Sequence, residues 1–274
     1  MTRRLNANLI VGAALVGLVV ALALVSFVWT PYEPTRINAG VRLAGYSSDH
    51  LLGTDRFGRD VLSQIMVGAR TTLFVGIVAV GVAGFAGTPL GVMAGMAHSR
   101  WVSEGIMRAN DLLLAFPALL LAIMFGAVFG ASTLTAMVAI GIATIPTFAR
   151  IARSRTLQVM KTEYVLAARA AGRTRVAIAV RHVLPNIAAL LIVQASVSFA
   201  IAVLAEAALS FLGFGTAPPT PSWGRMLQEA QGLLRIAPRL TLWPGLGIAI
   251  AVLGFNLLGD GLRDYLDPQL EDRR

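Results

Sequence analysis

The chain has no cysteine, one lysine, three histidines and few charged residues of either sign. Without cysteine it cannot hold a disulfide framework or a thiolate-ligated zinc or iron–sulfur site. The histidines, at positions 50, 98 and 182, are too scattered to suggest a metal cluster. Asp, Glu, Lys and Arg make up 14% of the 274 residues, whereas an ordinary soluble domain carries about 25%. The composition therefore excludes an ordinary soluble protein.

The scarcity of lysine also bears on catalysis. Lys161 follows Met160, so the Gly-Lys-Ser/Thr sequence that ends a Walker phosphate-binding loop is absent. Gly-x-Ser-x-Gly and His-Glu-x-x-His do not occur either. We therefore expect a non-catalytic chain with no cofactor of its own. An intramembrane enzyme would need a nucleophile–base pair or a metal cluster, and neither is recognisable.

What the chain does have is long apolar runs, with 56% hydrophobic residues and a mean hydropathy of +0.72. The longest runs without Asp, Glu, Lys or Arg are 5–32, 71–99, 112–149, 187–205 and 240–259. Each can form a membrane span, which takes about 20 residues. The run 112–149 would make a helix of about 57 Å, so we expect it to fold back at Gly130–Thr133. The prediction is an all-α polytopic protein with six spans, the first being a retained anchor rather than a cleaved signal peptide.

The basic residues predict the orientation of those spans. Placing the N-terminus inside puts fifteen Lys and Arg residues in cytoplasmic segments, including Arg3, Arg4, Arg273 and Arg274, and eight outside. The positive-inside rule then predicts that both termini are cytoplasmic in a multi-pass protein of the cytoplasmic membrane. The net charge of +9 thus reports topology and does not indicate a nucleic-acid partner.

The most basic loop contains EYVLAARAAGRTRVAIAVRHVLPN at 163–186. Its alanines predict a short helix that another backbone can approach closely, ended by Gly172 and a turn at 173–175. Pro185 is expected to break the approach to the fifth span. Apolar surface is expected after the turn, from Val176, Ile178, Val180 and Val183. Two interpretations stay open: a linker whose arginines lie on anionic lipid headgroups, or a helix docked in a partner's groove.

The predicted external segment contains HLLGTDRFGRDVLSQIMVGARTTL at 50–73. Thr54 or Asp55 is expected to cap an amphipathic helix that feeds the second span. That helix would carry Phe57, Val61, Leu62, Ile65 and Met66. No ligand site is indicated there.

Polar residues within the spans are few. The candidates for a translocation path are Gln194, Ser196, Ser198, Glu206 and Asn256, although serines in spans commonly serve helix packing. Glu206 lies about 30 Å along the helix from Asn186, which predicts the outer interface. Both substrate contact and anchoring of the 207–224 loop are open for it. Asp111 lies three residues after Arg108, which is the spacing of an ion pair on a helix surface.

Several stretches resemble the permease family of binding-protein-dependent ABC importers, and most closely the C-type permeases of dipeptide and oligopeptide systems. They are GTDRFGRDVLSQIMVGARTTL at 53–73, AFP at 115–117, LSFLGFGTAPPTPSWGRML at 209–227 and NLLGDGLRDYLDPQL at 256–270. The inside loop is similar to the family's EAA signature, with Ala167, Ala168 and Gly172 in register and Leu184-Pro185 at its end. Leu166 and His182 replace the Glu and Ile of the signature.

This resemblance implies a type I ABC importer permease fold and a coupling helix that docks on an ATP-binding subunit. The coupling residues it implies are Glu163, Tyr164, Ala167, Ala168, Gly172 and Arg173. The implied partners are a homologous B-type permease, ATPase subunits that bind ATP and Mg, an extracytoplasmic peptide-binding protein and the lipid bilayer. Residues 1–70 would form an anchor helix and external segment, and 71–274 the permease domain with its coupling loop at 156–185.

Other functions remain open on the sequence alone. A permease for nickel chelates or glutathione would share the same motifs, because specificity in the family resides largely in the binding protein. A secondary transporter driven by an ion gradient belongs to a different class. It would be expected to bury carboxylates within its spans, and only Glu206 comes near that.

Overall fold

A computed structural model describes residues 6–266, and within that range the regular secondary structure is helical apart from an isolated bridge between Thr54 and Asp60. The predicted inside positions Arg3, Arg4, Arg273 and Arg274 lie outside the described residues. The helices are α1 Ala7–Val28, α2 Val61–Met96, α3 Arg100–Leu114, α4 Ala118–Phe129, α5 Thr133–Val159, α6 Glu163–Ala170, α7 Arg175–Ile178, α8 Leu184–Phe211, α9 Trp223–Ala230 and α10 Arg239–Leu266.

Five helical stretches are long and apolar enough to cross a membrane. They are α1, α2, α5, the α7–α8 stretch Arg175–Phe211, and α10. The helices α3 and α4 pass the same test together, as one span broken by a bend of 81°. Counting that pair as one span confirms the prediction of six. The 12 residues of α4 would extend only about 18 Å, so α4 alone is too short to cross a hydrocarbon core of about 30 Å.

The long run 112–149 folds back where expected but also breaks once more. Gly130 has a positive φ of +88°, and the Ser132 hydroxyl caps α5 by accepting the Thr135 N–H at 3.1 Å. The break after Leu114, where α3 ends, was not predicted from the sequence. Pro117 accounts for this break, because proline has no N–H to donate and disfavours helical backbone at the residue before it.

The expectation that Pro185 breaks the approach to the fifth span is wrong. Pro185 is the second residue of α8, and a π-helical turn over Ala179–Val183 joins α7 to α8 without interruption. In that turn the Leu184 N–H donates to the Ala179 carbonyl, five residues back. The Asn186 side chain then donates to the His182 carbonyl at 2.6 Å. The wider turn and this side-chain donor together accommodate the proline.

Small residues line the contact between α2 and α5. They recur every fourth residue along α2, at Ala79, Ala83, Gly87, Gly91 and Gly95. A Cβ added at Gly87 would lie 2.5 Å from the Ile145 carbonyl oxygen, and one at Gly91 would lie 2.3 Å from that of Ala149. The two backbones are therefore in direct contact, as in the small-residue packing of membrane helices.

The helices place two sets of connections at opposite ends of the bundle. One end, called the α9 end, holds the segments 29–60 and 212–238, which the Arg239 guanidinium links by donating to the carbonyls of Leu43 and Ala44 at 2.7 and 2.9 Å. The other, called the α6 end, holds α3, α6 and α7. The start of α1 and the end of α10 meet there, where the Asn6 amide donates to Asp264 at 2.6 Å. At this end Asp111 pairs with Arg150 of α5 at 2.6 Å, not with Arg108 as expected.

Replacing Gly91 by leucine is expected to lower the Tm of the detergent-solubilised protein by about 2 to 12 °C. The side chain would overpack the α2–α5 contact at a cost of about 1 to 3 kcal/mol. The matched control is Gly81→Leu, also in α2, where no heavy atom lies within 4 Å of an added Cβ. A thermal melt in which both variants lose the same stability would show that close α2–α5 contact is not the cause.

Candidate functional site

The short helix α6 has one face packed on the spans and another face open. Val165 is 0% exposed and lies in an apolar cluster with Val92 of α2, Ala152 of α5 and Ile187 of α8. Among the predicted coupling residues, Glu163, Tyr164 and Ala167 are exposed and Ala168 is partly buried. The helix thus contacts three spans through its buried side and presents its other face to solvent.

The expected end of α6 at Gly172 is confirmed. The helix ends at Ala170, and Gly172 adopts a left-handed φ of +73°. The Gly172 N–H donates to the Arg169 carbonyl at 3.0 Å, and the Arg173 N–H donates to the Ala168 carbonyl at 3.1 Å. This pair of bonds is a Schellman motif, which turns the chain sharply and leaves Gly172 and Arg173 exposed at the tip.

The residues after the tip divide between two surfaces. Thr174 caps α7 by accepting the Ala177 N–H at 3.2 Å. Ile178 and Val183 are buried in the same cluster as Val165, whereas Val176 and Val180 are 73% and 56% exposed. The single apolar surface expected from the sequence is therefore two surfaces.

At the α9 end the GTDRFGRD stretch forms a polar loop, so the predicted capping by Thr54 or Asp55 is wrong. The cap of α2 is Asp60, which accepts the Ser63 N–H at 2.8 Å. Phe57 lies before the helix, because Gly53 and Gly58 both have a φ of +75° and hold the preceding residues in turns. Asp55 instead stabilises this loop by accepting the backbone N–H groups of Phe57 and Arg59 at 2.8 and 2.9 Å.

One ion-pair network ties the two segments of the α9 end together. Arg59 donates through Nε to Asp55 at 2.6 Å and through Nη2 to Glu229 of α9. Arg225 donates to the other oxygen of Glu229 at 3.1 Å. The sequence analysis missed this network. The spacing of Asp55 and Arg59 was visible, but Glu229 lies 170 residues from Arg59 and no local pattern connects them.

Glu206 is 2% exposed and lies near the α9 end, five residues before α8 ends. Its carboxylate accepts from the Ser210 hydroxyl at 2.6 Å and from the Thr216 hydroxyl at 3.2 Å. The Ser210 oxygen in turn accepts the Thr216 N–H at 2.9 Å. These bonds fix the chain that follows α8, so the geometry favours the anchoring interpretation of Glu206.

The other path candidates do not converge with Glu206 on one site. The Gln194 amide donates to the Ser198 hydroxyl at 3.0 Å, one turn along α8, and Ser198 is buried. The Ser196 hydroxyl donates to the Ile192 carbonyl of its own helix at 3.3 Å. Asn256 is partly buried on α10. Since Gln194 and Glu206 are twelve residues apart, they are separated by about 18 Å along α8. Their contact with a substrate stays a prediction.

The architecture of the bundle can be compared with that of known membrane proteins. It combines the membrane-crossing helices with the exposed helix α6 at one end and two loops joined by ion pairs at the other. Residues 87–272 match the family model described as "Binding-protein-dependent transport system inner membrane component". The chain belongs to this family. It is accordingly a multi-pass inner-membrane component of a transport system, as the motifs at 53–73, 115–117 and 209–227 predicted.

Relatives of this transport component cover nearly all of its length. It is 42% identical over 266 residues to the dipeptide transport system permease protein DppC of Alkalihalophilus pseudofirmus, covering 97% of this chain and 87% of the relative. It is also 42% identical over 271 residues to the glutathione transport system permease protein GsiD of Pectobacterium atrosepticum, covering 98% and 90%. A chain of the inward-facing MetNI methionine ABC transporter aligns with a TM-score of 0.63 at 18% identity, over 74% of this chain and 97% of that one. This last likeness shows that the fold is shared.

Replacing Glu206 by leucine is expected to lower the Tm, because the hydroxyls of Ser210 and Thr216 would lose their acceptor at a cost of about 1 to 3 kcal/mol each. Glu206→Gln retains an acceptor oxygen and should keep both stability and substrate uptake close to those of the unmodified transport component. Thermal melts and uptake are measured for both variants. Uptake lost in Glu206→Gln without any loss of Tm would contradict the anchoring role and favour substrate contact.

Proposed function

We propose that this chain is the C-type permease subunit of an ABC importer that carries dipeptides or oligopeptides across the cytoplasmic membrane. It would pair with a homologous B-type permease, and an extracytoplasmic binding protein would deliver the peptide. Separate ATPase subunits would bind ATP and Mg, so this subunit itself would not be catalytic. The observation that carries the proposal is the exposed, Schellman-capped α6 in a chain of the binding-protein-dependent family.

The proposed coupling begins at the exposed face of α6. Glu163, Tyr164 and Ala167 would enter a groove of the ATPase subunit, where the small side chain of Ala167 permits close approach of the two backbones. The exposed Gly172 and Arg173 would extend this contact at the tip. Leu166, which replaces the glutamate of the EAA signature, is 50% exposed and would add apolar contact there.

Movement of α6 would then reach the spans through Val165. Its buried cluster includes residues of α2, α5 and α8, so a displaced α6 cannot leave these three helices unchanged. ATP binding would favour one arrangement of the permease pair because the ATPase subunits bind the two arrangements unequally. Peptide would enter between the permeases in the outward-open arrangement and leave in the inward-open one.

In this proposal the α6 end is cytoplasmic, as are both termini, and the α9 end faces the binding protein. Residues 71–274 would form the permease domain with its coupling loop at 156–185, preceded by the anchor and outer segment 1–70. α2 runs through residue 70 without a break, and the bond from Arg59 to Glu229 links the two parts at the outer end. The anchor is thus proposed to move together with the permease domain.

Glutathione is the second candidate substrate, because the GsiD relative matches this chain at the same 42% identity as the DppC relative. Both substrates are short peptides with a free amino group and carboxylates. The candidate path residues on α8 do not discriminate between them, so the binding protein would select the substrate.

Substitutions at Gly172 provide a graded test of the proposed coupling. No heavy atom lies within 4 Å of a Cβ added there, so the side chain has space and only the positive φ resists substitution. Gly172→Asn should retain coupling, because asparagine tolerates left-handed backbone, and Gly172→Ala should weaken it. Gly172→Pro should abolish it, because proline fixes φ near −65° and removes the N–H that bonds to Arg169. Peptide-stimulated ATPase activity and uptake are measured with the four core subunits and the binding protein in proteoliposomes.

In that series Gly172→Asn is the control for adding a side chain, and a thermal melt of each variant is the control for folding. If Gly172→Pro keeps both peptide-stimulated ATPase activity and uptake, α6 is not the coupling helix.

Uptake by the reconstituted importer should require ATP and should persist when a protonophore collapses the ion gradient. Labelled dipeptide and labelled glutathione are supplied with the binding protein that co-purifies with the complex. Saturable dipeptide uptake would favour the main proposal, and uptake of glutathione alone would favour the second candidate. Uptake that survives ATP depletion but stops with the protonophore would contradict both and indicate a secondary transporter.

A further inference from the structure

A basic cavity lies beside α6, at the level where two spans end. Its volume is about 230 Å³ and it is open to solvent. Arg169, Arg173, Arg175 and His98 line it, and its apolar floor is formed by Met96, Met160 and Ile178. Met96 is the last residue of α2, and Met160 follows the last residue of α5. The cavity therefore lies at the ends of two spans.

The arginines of this cavity lack acidic neighbours. Within residues 6–266 the cavity lining contains no Asp or Glu. The ion pairs that this described part forms at the α6 end join Arg100 to Glu104 and Arg150 to Asp111, away from the cavity. Three guanidinium groups around one opening repel one another, and a bound anion would offset their charge. Guanidinium groups bind phosphate through paired hydrogen bonds.

The cavity lies on the side of α6 opposite Ala167, and it shares only Arg173 with the proposed ATPase-binding surface. At about 100° per residue, Arg169 is rotated by about 200° from Ala167, so the two point to opposite sides of α6. Arg169 follows the buried Val165 by four residues, or about one turn, so it lies on the side of α6 that is turned towards the spans. A protein docked on the exposed face of Ala167 would leave Arg169 on the other side of the helix.

An apolar surface continues from the cavity along α2. Met93 lies one turn before Met96, on the same side of the helix, and is 60% exposed. Two turns earlier, Phe85 is 90% exposed. A charged cavity at the end of a span, followed by an exposed apolar stripe, matches a phospholipid with its headgroup in the cavity and an acyl chain along the helix.

We propose that this cavity binds the phosphate of an anionic phospholipid, with Arg169 and Arg175 as its principal ligands and an acyl chain along Met93. The proposal rests on the proposed function only in assigning the site to the cytoplasmic leaflet. Basic pockets beside membrane helices on the cytoplasmic side suit such headgroups. A bound lipid would brace α6 from the side opposite its docking face and so connect the membrane composition to the position of the coupling helix.

The test uses the full chain, purified in neutral detergent and examined by native mass spectrometry with phosphatidylglycerol or phosphatidylcholine. The unmodified chain should retain phosphatidylglycerol in preference to phosphatidylcholine. The double variant Arg169→Gln, Arg175→Gln should bind it about 25-fold more weakly, since each basic residue near an anionic surface contributes a factor of about five. The matched control, Arg155→Gln with Arg181→Gln, removes the same charge from exposed positions outside the cavity and should bind as the unmodified chain does.

A charge-preserving double variant, Arg169→Lys with Arg175→Lys, keeps the test valid if the glutamine variant fails to fold, and should retain most of the binding. Equal binding of phosphatidylglycerol by the cavity variant and the control overturns the proposal, as does equal binding of the two lipids by the unmodified chain. Displacement of phosphatidylglycerol by equimolar glycerol 3-phosphate would identify a free phosphate site and overturn the lipid assignment. These measurements involve neither ATP nor transport, so their failure is distinct from failure of the proposed function.

Discussion

Direct backbone contact between α2 and α5 is the constraint on which the rest of the bundle depends. Within a bilayer, apolar side chains gain little from leaving lipid for protein, so helices associate through close packing. The glycines at 87, 91 and 95 allow that packing, and they bring the ends of α2 and α5 together at the α6 end. The apolar cluster around Val165 forms on those two ends. The position of α6 thus depends on the close contact that these glycines allow between α2 and α5.

The two ends of the bundle are built on different physical principles. At the α9 end, charged side chains bond one another and the backbone, and Arg59, Asp55 and Glu229 hold two distant segments in one arrangement. At the α6 end, the described arginines of the coupling loop face solvent or an open cavity, and apolar packing through Val165 provides the attachment. An α9 end held by ion pairs and an α6 end held by one small apolar cluster suit the proposed function, in which the ATPase subunits act on α6.

The two interpretations of the basic loop are compatible because α6 has two sides. Each residue of α6 is rotated by about 100° from the one before it. A docking face at Ala167 and a lipid-facing Arg169 can therefore lie on one helix of eight residues. The proposed lipid site and the proposed ATPase contact would then act on the same helix from opposite directions. Any lipid that holds α6 more tightly in one arrangement would shift the balance between the inward-open and outward-open states.

Much of this protein was determined by local sequence. The charge-free runs predicted the crossings, because hydrocarbon excludes charge and an apolar helix has a fixed rise. Gly172 predicted the end of α6, because only a left-handed residue can close a Schellman motif there. The break at Pro117 and the continuous helix through Pro185 show the limit of that reasoning, since the same residue type ends one helix and is accommodated by a π turn in the other.

Contacts between distant residues were decided by the tertiary structure alone: the bond from Arg59 to Glu229, the hydroxyls around Glu206 and the arginine cavity. Each depends on how the helices pack, and a side chain's partner across the bundle leaves no mark in its own neighbourhood of the sequence.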